Sequence, residues 1–136
     1  MFYDFALTIP AGTPEGSYVE QRMKLTHGVV HRVEVEFAPG CRRYVYVKIY
    51  HGGHQLLPTN PEQSFRSDGH VIVIDEHYPL TSAPYELIVR GFSPDAVYPH
   101  TIIVRVGILP EEILLPSLSL SQVLRVFIGR LFGGRV

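Results

Sequence analysis

Gly28-Val-Val-His-Arg-Val-Glu-Val-Glu-Phe37, then Ala38-Pro-Gly-Cys41, then Arg42-Arg-Tyr-Val-Tyr-Val-Lys-Ile-Tyr-His51: the fold turns on how these residues are read. Side chains alternate between the two faces of a strand, so Val29, His31, Val33, Val35 and Phe37 share one side of the first run. Val45, Val47 and Ile49 share one side of the second. The short Pro39-Gly40 connection predicts an antiparallel hairpin with one face turned to a core. Arg32, Glu34 and Glu36 then occupy the other face, beside Tyr44, Tyr46, Lys48 and Tyr50 on the partner strand.

The same alternation recurs on both sides of this stretch. Phe2 to Ile9 puts Tyr3, Phe5, Leu7 and Ile9 on one face, and Tyr18 to Thr26 does so more weakly with Val19, Met23 and Leu25. His51-Gly52-Gly53-His54 is a chain reversal leading into Leu56-Leu57. Asp68-Gly69 predicts a second tight hairpin. Val71 to Ile74 is apolar at every position, as in a strand buried on both faces, and Asp75 to Pro84 reads as a loop. Tyr85, Leu87 and Val89 line the next strand. Ile102, Val104, Val106 and Ile108 line the last, Thr101 to Leu109. Eight short strands at this spacing predict an all-β chain, an antiparallel sandwich of jelly-roll or immunoglobulin-like type, over residues 1–112.

Residues 113–136 change period. Pro116 stops Ile113-Leu114-Leu115, and Ser117, Ser119 or Ser121 can cap a helix. At 100° per residue Leu120, Val123, Leu124, Phe127, Ile128 and Leu131 fall within roughly 140° of arc, opposite Gln122, Arg125 and Gly129. A helix of about 14 residues is marginal alone in water, so this amphipathic C-terminal arm needs a partner. The spacing of Leu120, Leu124, Phe127 and Leu131 is that of a short bundle seam.

Composition narrows the function. The 136 residues are 46% hydrophobic and 18% charged, which is the balance of a folded globular chain. The formal net charge is −1, so no nucleic-acid partner is expected. The arm carries Arg125, Arg130 and Arg135 and no acid, leaving nine bases against 13 acids in the rest, a formal −4. Three arginines without a lysine make a poor lipid anchor, and a membrane partner is not expected. Met1-Phe-Tyr-Asp-Phe5 has no signal-peptide pattern, which predicts cytoplasmic synthesis, with release in a particle as a further stage. The single Cys41 excludes an internal disulfide and reads as a small turn or core residue.

No motif specifies a reaction. His27 and His31 are four residues apart, a metal-binding spacing on a helix but about 13 Å along a strand. His51 and His54 flank a diglycine, and the His-x-His of a cupin is absent. The expectation is no metal and no cofactor, with the seven histidines making hydrogen bonds at turns and strand ends. Glu34 and Glu36 lie about 7 Å apart on one face, a separation an inverting glycosidase uses. With Arg32 and Lys48 on the same face, a solvated charge ladder is the expected role. Tyr44, Tyr46 and Tyr50 form the more informative stripe, a flat amphipathic surface suited to a protein interface or a sugar platform, unless the chain's own loops cover it.

Leu25-Thr-His-Gly-Val-Val-His-Arg-Val-Glu-Val-Glu-Phe37 and Tyr98-Pro-His-Thr-Ile-Ile-Val-Arg-Val-Gly-Ile-Leu-Pro110, in an eight-stranded plan with an apolar tail, resemble the small β-sandwich structural proteins of bacteriophage virions. Decoration, cement and minor capsid proteins and some tail components are meant. The resemblance implies a structural role in a repeating assembly and carries over no catalytic residue. The leading expectation is a non-enzymatic assembly protein that oligomerises, or docks on another particle protein, through Tyr44, Tyr46 and Tyr50 and through Leu120, Leu124, Phe127 and Leu131. The rival is a carbohydrate-binding or adhesin-like module with the tyrosines as its platform. A metal-dependent jelly-roll enzyme ranks third.

Overall fold

The computed structural model describes residues 1–110; the arm and its Leu120, Leu124, Phe127 and Leu131 lie outside them. The described chain is all-β: β1 (Phe2–Ile9), β2 (Val19–Lys24), β3 (Gly28–Phe37), β4 (Tyr46–His51), β5 (His54–Leu57), β6 (His70–Leu80), β7 (Glu86–Phe92) and β8 (His100–Leu109), with one 3-10 turn at Glu15–Ser17. Two four-stranded antiparallel sheets result, in the orders β1-β8-β3-β6 and β2-β7-β4-β5. The order has a simple rule. β1 pairs with β8, β2 with β7, β3 with β6 and β4 with β5, so the chain is one long folded ribbon rolled up from its middle. The β3–β8 and β4–β7 pairings close each sheet.

The reversal of this ribbon is Gly52-Gly53, between the facing residues His51 and His54. Gly52 has φ +62°, a left-handed conformation that favours glycine there. Pro39-Gly40 is not a hairpin turn. Residues 38–45 cross from one sheet to the other, so β3 and β4 face each other across the core instead of lying side by side. Alternation predicted the inward residues of both strands and left their relative placement open. Phe37, Val35 and Val33 from one side, and Val45, Val47 and Ile49 from the other, are all buried.

Two further expectations change. Against β8, pairing of β3 shifts between Val30 and Arg32, a bulge at His31; against β6, Glu76 and His77 together oppose His31. The bulge puts Val30 in the core cluster and leaves His31 half-buried, resting edge-on against Phe2 with ring centroids 5.6 Å apart. β6 is not buried on both faces. It is an edge strand running through the expected loop to Leu80, with Ile72, Ile74 and Tyr78 packed on the core and Val73 exposed. Pro79 is tolerated because an edge strand has one side free of ladder bonds. Asp68-Gly69 likewise turns no hairpin; it leads into β6.

The core lies between the sheets. Ile9, Met23, Phe37, Ile49, Leu87, Ile102 and Ile108 are among its fully buried side chains, each contributing about 1.5–3 kcal/mol on burial. Gly91 of β7 lies directly against β1 of the other sheet: a Cβ there would overlap the side chain of Ile9 and meet Leu7 Cδ2 at 3.3 Å. The side chain missing at Gly91 is supplied by Ile9 from β1.

Candidate functional site

The outer face of the β2-β7-β4-β5 sheet holds two of the three predicted tyrosines. Tyr46, Lys48 and Tyr50 alternate with the buried Val47 and Ile49 and so point outward. Register then decides their neighbours. Tyr46 faces Phe92, Lys48 faces Arg90, and Arg90 faces Glu20 on its other side. Tyr46 and Phe92 stack with centroids 4.8 Å apart and planes 5° from parallel. Lys48 and Arg90, two cations directly opposite across a strand pair, repel unless anions intervene. Glu20 Oε2 accepts from Arg90 Nε at 3.0 Å, and Glu15 Oε1 lies 4.0 Å from Lys48 Nζ.

Guanidinium groups cover the rings. Arg90 lies 4.1 Å from the Tyr50 ring centroid and 4.6 Å from that of Tyr18. Arg66 lies 4.5 Å from the Tyr46 centroid, on a segment whose Phe65 bonds to Val47 through both backbone groups. Lys48 Nζ is 5.9 Å from the Phe92 centroid. Part of the face is thus covered by the chain's own turn and loop. What remains is a mosaic of ring edges, guanidinium planes and carboxylates around two small hollows of 180 and 260 Å³. Tyr18, Phe92, Arg66 and Arg90 were not singled out in the sequence. The signal for Arg90 was present in the Tyr85-Leu87-Val89 alternation, which places it outward; its place beside β4 comes from the register.

Tyr44 parts from the other two. It precedes β4 and lines a different cavity at one end of the sandwich, with Arg42, Tyr98 and His100. Asp68 ties that loop down: its Oδ1 accepts from the Gly40 N–H at 2.8 Å. The backbone N–H groups of Arg42 and Gly40, in that order, hold the Asp68 carboxyl below the usual carboxylate range. Cys41 is buried at the centre of the loop, and burial, aided by the Asp68 charge, pushes its thiol up.

On the opposite outer face Glu34 and Glu36 form a charge ladder with Arg32, as expected, but with Arg105 of β8 in the place expected of Lys48, because Lys48 belongs to the other sheet. Arg32 Nε donates to Glu34 Oε2 at 2.8 Å, and Arg105 Nη2 donates to Glu36 Oε1 at 3.0 Å. The hydrogen bond to Glu36, more than the nearby Asp4 and Glu34 charges, binds the Arg105 proton more firmly. His51 hydrogen-bonds to the Tyr78 hydroxyl from the end of β4, the strand-end role expected of it. Among the described residues no three His, Cys, Asp or Glu side chains are grouped to hold a metal ion.

No family model matches the chain. No curated protein matches it either. Among solved structures it is similar to the crystal structure of PirA, at 15% identity and a TM-score of 0.35, over 77% of this chain and 94% of that one.

Proposed function

We propose that this chain is a non-enzymatic structural protein, a jelly-roll sandwich that associates with copies of itself through the outer face of the β2-β7-β4-β5 sheet, with residues 113–136 as a second attachment. Four pairs nested around one central turn support the jelly-roll assignment. The observation that carries the association is the covered state of the rings. A sugar platform needs an open aromatic face, whereas Tyr18, Tyr46 and Tyr50 each have a guanidinium over the ring. Tyr and Arg held rigidly together are what the strongly contributing centres of protein interfaces use. The charges favour a second copy as the partner. Glu15, Glu20, Lys48 and Arg90 contribute two of each sign within one patch, and a two-fold interface must be complementary to itself.

Light scattering tests this on the full chain. The expected mass exceeds the 15.3 kDa of one chain. Tyr46→Ala removes the ring stacked on Phe92, costs the association about 2 kcal/mol, and returns the mass toward one chain while the circular dichroism stays that of the parent. A monomeric parent, or a folded variant of unchanged mass, refutes association through this face.

A further inference from the structure

The β3–β4 crossing and the β7–β8 loop meet at one end of the sandwich and enclose a groove of 580 Å³, larger than either hollow on the sheet face. Pro39, Arg42, Tyr44, Val97, Tyr98 and His100 line it. Volumes of about 300–1,000 Å³ are those of sites for small ligands.

Both walls are held in place. On one side Asp68 accepts from Gly40, Tyr44 N–H donates to Cys41 O at 2.8 Å, and Arg43 N–H donates to Ser67 O at 3.3 Å. Arg66 Nε donates to Arg43 O at 2.9 Å from the same flank. Arg42 and Arg43 have φ of +48° and +62°, two successive left-handed residues without being glycine. Such a backbone is costly and persists only where its surroundings over-determine it, as they do at ligand-holding loops. On the other side Ala96 is buried, its N–H donates to Ser93 O, and its own carbonyl accepts from Gly12 N–H at 3.0 Å. That fixed loop nevertheless presents Val97 and Tyr98 to solvent at 78% and 70% exposure, and Tyr44 stands 46% exposed across from it. A groove already in its bound shape loses little entropy on binding.

Its chemistry differs from that of the sheet face. Among the described residues, the rings of Tyr44 and Tyr98 have neither an aromatic ring nor a cation stacked on them. Their electron-rich faces are open to the weakly positive C–H face of a pyranose. Arg42 feels the Asp68 charge, but Asp68 accepts from backbone N–H groups and no carboxylate lies within ion-pair distance of Arg42 among the described residues, so its planar fork stays open to a carboxylate through two parallel hydrogen bonds. We infer that this groove is a binding site for an acidic saccharide, with Tyr44 and Tyr98 taking the C–H faces of the sugar and Arg42 its carboxylate.

Calorimetric titration of the full chain tests this with two acidic probes, a galacturonic acid trisaccharide and a sialyl trisaccharide, and with the uncharged galactose trisaccharide as control. At least one acidic probe binds about tenfold or more tightly than the neutral one, and the preference shrinks as salt is raised. Arg42→Asn, chosen because asparagine tolerates a left-handed backbone, abolishes the preference. Tyr98→Ala, at an exposed position that cannot threaten the fold, weakens binding about fivefold or more. Tyr46→Ala leaves binding unchanged, which separates this groove from the self-association face. Four results would overturn the inference: no binding of either acidic probe at millimolar concentration, equal binding of acidic and neutral probes, indifference to both groove variants, or an acidic peptide displacing the sugar in preference.

Discussion

Tyr46 and Tyr44 are two residues apart and have opposite surroundings. Tyr46 belongs to β4, where the register sets Phe92 beside it and the neighbouring segment lays Arg66 over its ring. Tyr44 belongs to the crossing between sheets, where no register acts, and its ring faces an open groove. A strand-borne face has its neighbours chosen by the ladder, so its polar and aromatic groups neutralise one another. A loop-borne groove keeps its groups unengaged and has to hold its shape by other means, here through Asp68 and a buried Cys41. The first region is therefore proposed to meet a surface like itself, and the second to receive a ligand that brings what it lacks.

The most severe way to break this comparison is Gly91→Val. A side chain on β7 at that point runs into Ile9 and Leu7 within the core, and overpacking there costs about 1–3 kcal/mol. Thermal unfolding should show the loss directly. The sheet face should suffer first, because Gly91 lies between Arg90 and Phe92.

Arg90→Lys is milder and sharpens the point about covered rings. Lysine keeps the charge and the attraction to Glu20, but it cannot spread a plane over both Tyr18 and Tyr50. A loss of about 0.5–1 kcal/mol by denaturant unfolding is expected, with no effect on groove ligands. Loss equal to that of Arg90→Ala would show that stacking on the rings, not charge, accounts for the whole contribution.

Asp68→Asn should move global stability least and the groove most. Amide exchange at Gly40 and Arg42 should quicken by about tenfold or more while β3 and β4 stay protected. Acid should mimic it. The Asp68 carboxyl titrates lower in the folded chain than in the unfolded one, so its contribution is complete above the ordinary carboxylate range. That contribution fades as pH falls through the depressed folded value. NMR of the Gly40 amide between neutral pH and pH 2 reads this, and a flat titration would mean the loop is held without Asp68.

The strand-borne region was far more legible in the sequence than the groove. Alternation places Leu7, Ile9, Met23, Val47, Ile49, Val104 and Val106 on inner faces, and all are buried. It is blind to which sheet a strand joins. Val33-Val35-Phe37 and Val45-Val47-Ile49 look the same as hairpin partners and as opposite walls of a core, and the Pro39-Gly40 pair tilted the reading to the hairpin. The bulge at His31 was invisible because it trades Val29 for Val30, two identical side chains. β6 is not legible past Ile74 because Asp75-Glu76-His77 has little strand propensity, and the pairing of Asp75 with Arg32 and of Tyr78 to Leu80 with Val30 to Gly28 carries the strand across it. The groove joins Tyr44 to Tyr98, and nothing local links them. The available hints were an exposed Val97-Tyr98 between two prolines and a pair of arginines after Gly40.

The rolled ribbon also sets the order in which the chain can close. His51 and His54 need only two glycines between them, whereas the last pair brings the Met1 amine to Ile108 O across 107 residues of sequence. Loop-closure entropy rises with the length spanned, but each pair formed nearer the diglycine shortens the effective loop for the next. The cheapest route is therefore a zipper running outward from Gly52-Gly53 through β3–β6 and β2–β7 to β1–β8. Folds dominated by such distant pairings form in milliseconds to seconds, not microseconds. The diglycine at the end of β4 is where that clock starts.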